Sequence, residues 1–446
     1  MSRQNLVLSV NAGSSSLKIS LYAVSSEQHY DRSSVEPVRL LLTSSISSIS
    51  APPAKFSFQL ASEHQGIKDA PIDAIKDHAT AFSHFLETLQ SQASIDEKRV
   101  IYICHRVVHG GDYKEPVQIT AESYHHIEKL SDLAPLHNGA ALSVIKACIA
   151  ALPDTKSIAY FDTSFHRSIP THVSSYAIDP VIAKKRGLQK YGFHGLSYSF
   201  ILRSVSHFLE KPPESLNLII LHLGSGASAC VVKSGKSLDT SMGLTPLNGL
   251  PGATRSGSID PSLIFHYTNK AGRITHDPSM ATHVGVTMAE DILNRKSGWK
   301  AITGTTDFGL IISKAELDNP DPEIAVRNPY RLAFDLFLDR VLHYVGSYYL
   351  KLDGEVDALV FAGGIGERSV ELRNIVGKKV QCLGFHDVER SKNEAVGNED
   401  AVVMDISVNQ RETKGRMKQV LVCKTNEQLE MARQCVLDPR FSDGCW

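Results

Sequence analysis

The sequence predicts an α/β protein built from two related domains, and three observations carry that prediction. Short apolar runs alternate along the chain with stretches of helical period. A unit of strand, Gly/Ser-rich loop and strand opens at Leu6 and again at Leu218. The length, 446 residues, also exceeds what a single hydrophobic core ordinarily organises.

The elements follow in order. Residues 6–10 form an apolar strand halted by Asn11-Ala-Gly-Ser-Ser-Ser16, and residues 17–24 alternate apolar and polar as a second strand. The Ser-rich stretch 33–53 reads as a hairpin with loose turns or a partly disordered surface insertion. Helical period marks 79–92, 139–152, 198–210 and 330–350, with strands at 100–104 and 158–161 among them. The second unit begins with strand 218–223, Gly224-Ser225-Gly226 and strand 227–232; strand 358–361 then leads into Gly363-Gly364-Ile365-Gly366-Glu367, which opens a helix. Residues 386–397 read as irregular surface.

Composition excludes several classes. Hydrophobic residues at 42% and charged residues at 21% are globular, which argues against a largely disordered chain. With 47 Lys+Arg against 48 Asp+Glu there is no bulk attraction to nucleic acid or an anionic membrane, so neither is expected as a partner. The cysteines at 104, 148, 230, 382, 423, 435 and 445 form no C-x-x-C pair and no metal-ligand rhythm, which suits a reducing compartment. The start, MSRQNLVLSV, has too short an apolar run for a secretory signal, and cytoplasm is the expected location.

Phosphate oxygens are bound by backbone N–H groups where small residues let the main chain approach. Three segments at strand ends satisfy this: the loop with Ser15 and Ser16 leading to Lys18, the loop Gly224, Ser225, Gly226, and the loop Gly363, Gly364, Ile365, Gly366. Gly235-Lys236-Ser237 imitates the end of a Walker A loop, but Cys230 stands where that motif needs glycine, so it reads as a hairpin turn.

Phosphoryl transfer asks for cations, hydrogen-bond donors and a metal. Arg106, beside a Gly-Gly bend, has a guanidinium suited to bidentate carboxylate or phosphate binding; taken alone the segment reads rather as a surface salt bridge. Arg255 lies in a glycine-flanked loop, and His194 is bracketed by glycines and aromatics as a placed donor. Asp162 ends a strand, where it can accept a proton, orient a group, hold a metal's water or cap a helix. His137 and the pair His105/His109 lack partners at zinc spacing, so Mg²⁺ held by oxygen ligands and nucleotide phosphates is the better expectation.

Together the segments NAGSSSLK, HRVVHGG, LAPLHN, FDTSFH, YGFHG, HLGSGAS, TRSGSIDP, AGGIGE and KTNEQL, spanning residues 11 to 427, resemble the acetate kinase family. That family belongs with the sugar kinases, heat-shock chaperone ATPases and actin. The resemblance implies a duplicated ribonuclease H-like, actin-like ATPase fold with a cleft between its domains, one formed by 1–164 with 428–446 and the other by 165–427. It implies that Asn11 and Glu427 position Mg²⁺ or Mn²⁺, that Arg106 binds carboxylate and phosphoryl oxygens, and that Arg255 steadies the transferring group. Asp162 becomes the essential catalytic carboxylate, His194 a donor to the transition state and His137 a supporting phosphate contact. The acetate methyl rests on Val108, Leu136, Phe193 and Pro246. Gly224, Ser225 and Gly226 meet nucleotide phosphates, while Asp307, Gly364 and Ile365 frame adenosine. The implied partners are acetate with ATP, or acetyl phosphate with ADP, and a second copy of the chain in a homodimer. Four departures from the commonest pattern mark a divergent branch: Ser225 for asparagine, Ser258 for aspartate, Arg368 for asparagine, and Gly139-Ala140 after LHN.

Overall fold

The computed structural model describes residues 5–13, 15–25, 36–63, 66–130, 135–274, 285–408 and 418–441, the side chains of 135–137 apart. They form two compact units, Met1–Ser164 with Asn426–Trp446, and Phe165–Thr275 with Val286–Thr425. The chain returns to the first unit at Asn426, two residues before the expected 428. Glu427 therefore belongs with the first unit, where it bonds Asn11.

In the first unit the strands are β1 (Leu6–Gly13), β2 (Ser16–Val24), β3 (Val38–Ser47), β4 (Ala54–Leu60), β5 (Ile67–Ile72), β6 (Val100–Val107), β7 (Val117–Gln118) and β8 (Lys156–Phe161). They make one sheet in the order β5-β4-β3-β2-β1-β6-β8-β7. The second unit holds β9 (Leu218–His222), β10 (Ser228–Lys233), β11 (Lys236–Thr240), β12 (Ala358–Ala362), β13 (Val403–Asp405) and β14 (Gln419–Cys423), in the order β11-β10-β9-β12-β14-β13.

Five neighbouring strands repeat the same scheme in both units. β3, β2 and β1 pair antiparallel, and β1, β6 and β8 run parallel. β11, β10 and β9 pair antiparallel, and β9, β12 and β14 run parallel. The strand-loop-strand openings at Leu6 and Leu218 are thus equivalent hairpins of a duplicated α/β fold.

Alternation along β1 sorts its side chains between two faces. Leu6, Leu8 and Val10 enter a core with Phe82, Phe85 and Leu89 of helix His78–Ala93 and with Val144 and Cys148 of helix Pro135–Ala151. On the other face Ser9 Oγ donates to the carbonyl of Gln428 at 2.8 Å, and Asn11 reaches Glu427, so the C-terminal helix Glu427–Leu437 covers this side. In the second unit Ile219, Leu221 and Val231 pack with Phe334, Phe337, Val341 and Val345 of helix Pro329–Lys351. β12 is buried throughout, as a central parallel strand requires. No helix of the described residues is long and apolar enough to cross a membrane.

The four expected helices occur within a few residues of their predicted ends, and Ser234-Gly235 makes the hairpin turn between β10 and β11 with both φ positive. Two surface expectations are corrected. Within 33–53, residues 38–47 form β3, which makes a hairpin with β4 as one of the two readings had it, but β3 is an inner strand with Val38, Leu42 and Ile46 buried, not a surface insertion. Within 386–397, helix Arg390–Ala395 buries Asn393 and is followed by buried Val396. Asn393 Oδ1 accepts from Nε of the buried Arg373 at 2.6 Å, and its backbone carbonyl accepts from Arg373 Nη2 at 2.8 Å. The segment looked like surface because the one buried residue of its helix, Asn393, is itself polar.

Asn393→Ala strips a buried guanidinium of an acceptor, and the expected cost is about 1–3 kcal/mol. Urea unfolding followed by tryptophan fluorescence, through the buried Trp299 of the same unit, checks it; an unchanged midpoint would make the 386–397 segment peripheral after all.

Candidate active site

In the first unit the site grows from the C-terminal ends of three parallel strands, where ligands sit in α/β sheets. β1 presents Asn11, β6 presents Arg106, and β8 runs into Asp162. Arg106 lies within β6, not in a loop after it: the strand extends to Val107, past the expected end at 104. The registers Val10↔His105 and Arg106↔Tyr160 bring the three strand ends level.

Asp162 is fully buried, and Arg106 grips it along one edge. Arg106 Nη2 lies 2.6 Å from Oδ2, and Nε lies 3.1 and 3.2 Å from the two carboxylate oxygens. Arg106 Nη1 donates to Asn11 Oδ1 at 3.2 Å, Asn11 Nδ2 donates to Glu427 Oε2 at 2.8 Å, and Arg106 Nε stands 3.5 Å from the same Glu427 oxygen. Burial works against the Arg106 charge, but Asp162 and then Glu427 outweigh it and hold the guanidinium above its ordinary pKa.

The bend after β6 is rigid. Asn138 exchanges two hydrogen bonds of 3.0 Å with the backbone of His109, and Thr163 Oγ1 accepts from the Gly110 N–H at 3.2 Å. A side chain on Gly110 would stand 2.5 Å from the Phe161 ring, which explains a glycine there. Val108 is half-buried at this bend. The side chains of Leu136 and His137 lie outside the described residues. His105 is buried against Ser157 with its pKa pushed down to about 3 by burial, and His109 Nδ1 accepts from the Gly111 N–H, so both serve the scaffold.

Of the first Gly/Ser loop, Ser15 Oγ accepts from Ser50 N at 3.2 Å and contacts Ser50 Oγ at 2.7 Å. Ser16 pairs with Gly13 across the hairpin, and exposed Lys18 is the cross-strand neighbour of Asn11.

The second unit assembles the other candidates. Gly363 follows β12 with φ +74°, and a Cβ there would lie 2.7 Å from the Leu223 carbonyl. That carbonyl accepts from Ile365 N at 2.8 Å and Gly366 N at 3.1 Å, which stitches the 363–366 loop to the end of β9. Gly224 lies alongside, its absent Cβ 3.9 Å from Gly364 N. Ala253 N donates to the Ser225 carbonyl at 2.8 Å, so the loop bearing Arg255 rests on the 224–226 loop. A Cβ on Gly226 would stand 3.1 Å from Arg255 Nη1 and 3.9 Å from His194 Nε2; cation and imidazole converge on one glycine. Among the described residues no acceptor takes the N–H of Gly224, Ser225 or Gly226, as a phosphate-binding loop requires.

Phe193 and Pro246 are buried; the Phe193 carbonyl contacts His166 Nε2 at 3.0 Å, and the Pro246 carbonyl faces Arg255 Nη1 at 3.5 Å. Asp307 is exposed, and its carboxylate caps helix Phe308–Lys314 through Gly309 N at 2.8 Å and Leu310 N at 3.3 Å. Its visible work is structural. Sequence reasoning overlooked Glu367, whose Oε1 accepts from Gly363 N at 3.1 Å, and Ser228, which touches His194. Both lie inside the recognised motifs, but their roles depend on which way a loop folds.

Among the described residues no group of three or more His, Cys, Asp or Glu could hold a metal. Glu427 and Asn11 nevertheless fit the hard oxygen donors that Mg²⁺ prefers, and Mg²⁺ usually keeps waters and takes substrate phosphates besides one or two protein ligands. Asn11 has both ends of its amide engaged by Arg106 and Glu427, which favours Glu427 as the direct ligand.

Comparison with known proteins places the chain in a family. The model of the Acetokinase family matches residues 6–433. A "Probable acetate kinase" of Emericella nidulans is 48% identical over 435 residues, covering 96% of this chain and 97% of that one. The crystal structure of a propionate kinase from Francisella tularensis superposes with a TM-score of 0.78 at 30% identity, covering 96% of this chain and 98% of the other. That of Porphyromonas gingivalis acetate kinase gives 0.74 at 28% identity, with the same coverage. With the family model matched over nearly its whole length, the chain belongs to the acetokinase family.

Proposed function

We propose that the chain is an acetate kinase, transferring a phosphoryl group reversibly between ATP and acetate to give acetyl phosphate and ADP. The observation that carries this reading is the guanidinium of Arg106, held by the buried Asp162 at the end of parallel strands. Asp162 takes Nε and one N–H of Nη2, and Asn11 takes one N–H of Nη1, which leaves one N–H on each terminal nitrogen for a carboxylate or phosphoryl oxygen.

In the forward direction a carboxylate oxygen of acetate attacks the γ-phosphorus in line, while the bond to the β–γ bridging oxygen breaks and its electrons leave with ADP. The transition state is loose, so the protein contributes position and charge, not a covalent bond. Arg106 orients the carboxylate. Asp162 acts through Arg106 as its fixed counter-ion. Arg255 and His194 stabilise the transferring group, and the N–H groups of the 224–226 loop hold nucleotide phosphates. Glu427, oriented by Asn11, is the candidate Mg²⁺ ligand; the metal when bound neutralises phosphate charge.

Trapping the product with hydroxylamine tests the assignment, using acetate, propionate and butyrate with ATP or pyrophosphate. ATP-dependent acetyl hydroxamate above the other combinations is expected, and a preference for propionate or pyrophosphate would reassign substrate or donor within the family.

Arg106→Ala is an ambiguous probe, because it abandons a buried carboxylate at a cost of about 3–5 kcal/mol. Asp162→Asn keeps the shape and removes the charge. We expect turnover to fall at least about 100-fold with the unfolding midpoint little changed, as for other groups that organise a transition-state contact. Turnover within twofold of the native enzyme would remove Asp162 from the mechanism.

His194→Ala is expected to lower kcat about 100-fold while the KM for ATP moves by less than about threefold, the pattern of an interaction made in the transition state. A change confined to the nucleotide KM would assign His194 to ground-state binding instead.

A further inference from the structure

His194 is held in a conformation that costs energy. Its φ is +60°, in the left-handed region, at the N-cap of helix Gly195–Phe208, and its side chain makes no capping bond there. The imidazole is fixed instead by two neighbours. His194 Nδ1 lies 2.8 Å from Ser228 Oγ, and the ring lies tilted against His222 with centroids 4.3 Å apart.

The contact continues inward. Ser228, the first residue of β10, is fully buried, and its Oγ lies 2.5 Å from the hydroxyl of Tyr198, which is also fully buried. Tyr198 sits one helical turn beyond His194, and its backbone N–H donates to the His194 carbonyl at 3.0 Å. Tyr198, Ser228 and His194 therefore form a chain of hydrogen bonds ending at Nδ1. The other ring nitrogen, Nε2, lies 3.9 Å from where a Cβ on Gly226 would stand, and Arg255 Nη1 lies 3.1 Å from the same point.

We infer that Ser228 and Tyr198 are positioning residues that set the tautomer of His194. A phenol is a stronger acid than an aliphatic alcohol, so Tyr198 donates to Ser228 Oγ, and Ser228 donates its own proton to Nδ1. The ring proton then resides on Nε2. His194 thus presents an N–H, uncharged and fixed in direction, toward the glycine that Arg255 also faces. Without the serine hydroxyl the ring distributes its proton between both nitrogens and rotates more freely. Neither Ser228 nor Tyr198 touches a reacting atom; each acts through His194.

This inference rests on the catalytic reading of His194, and the experiment separates the two. Steady-state kinetics of hydroxamate formation would be compared for Ser228→Ala, Tyr198→Phe, His194→Ala and the double variant Ser228→Ala/His194→Ala. The imidazole nitrogens would be observed by NMR in ¹⁵N-histidine-labelled protein. Ser228→Ala is expected to lower kcat about tenfold with both KM values within about threefold, the worth of one well-placed hydrogen bond. Tyr198→Phe, which leaves the inner bond in place, should cost about threefold and guards against a Ser228 variant that folds poorly. Ser228→Ala should add nothing in the His194→Ala background, since residues acting through one group are not additive. The native spectrum should show His194 protonated at Nε2, and Ser228→Ala should shift it toward mixed tautomers. An Nδ1-protonated native ring, or a Ser228→Ala loss that multiplies with that of His194→Ala, overturns the proposal. Full turnover in His194→Ala would instead refute the catalytic reading, while the tautomer spectra would still decide the relay.

Discussion

The pairing of Arg106 with Asp162 is the constraint on which the first unit depends. A carboxylate with no exposed surface is tolerable only when a partner neutralises it and satisfies its oxygens. The partner comes from the adjacent parallel strand, so pairing β6 with β8 in the right register and keeping Asp162 ionised are the same requirement. A slip of one residue would turn Arg106 toward the apolar face that receives Ile103 and leave Asp162 alone. The pair is also stiff: Asp162 holds Nε and Nη2 and Asn11 holds Nη1, so the guanidinium is fixed in direction without further ordering.

Duplication explains how two kinds of chemistry arise from one scheme. The equivalent strands β1, β6 and β8 end in Asn11, Arg106 and Asp162, whereas β9 and β12 end in the glycine loops 224–226 and 363–366. Charged side chains in the first set suit an acceptor carboxylate; the backbone N–H groups of the 224–226 loop suit phosphates, whereas those of Gly363, Ile365 and Gly366 are spent on Glu367 and the Leu223 carbonyl, holding the second loop in shape. The fifth strand of each set is also where the chain leaves its unit, after Ser164 beyond β8 and after Thr425 beyond β14. The second crossing delivers Glu427 to the N-terminus of the helix that covers Asn11.

Much of this was legible beforehand, for identifiable reasons. Apolar strands such as 6–10 and 358–361 announce themselves because burial on a sheet face demands continuous or alternating hydrophobicity. Gly363 announces itself because its positive φ and the approach of the Leu223 carbonyl admit no side chain. The failures share a cause too. β3 ends in Thr43-Ser-Ser-Ile-Ser47, with Ser44 at a buried position, which imitates a loose loop, and Asn393 is polar yet buried because its partner is a buried arginine. Ser228 was present in a quoted motif but has meaning only once the 224–226 loop turns it toward His194. Periodicity reports burial; it carries no information about which polar group a buried polar group has found.

The divergent positions make the same point from the other side. Ser225 replaces a larger amide, yet the observed attachment of its loop is through its carbonyl, which accepts from Ala253 N. Ser258 replaces an acid, but its hydroxyl accepts from Gly249 N at 3.0 Å and lies 2.5 Å from Asn248 Oδ1, bracing the loop that leads to Arg255. Arg368 extends over the chain without crowding it, its Nη2 3.9 Å from where a Cβ on Gly364 would stand. The loop at Ser225 is held by a main-chain bond and the loop at Ser258 by a hydroxyl that any small polar residue can supply. At Arg106 and Asp162 the charged side chains themselves are the bond, and no neighbouring main-chain contact could replace it.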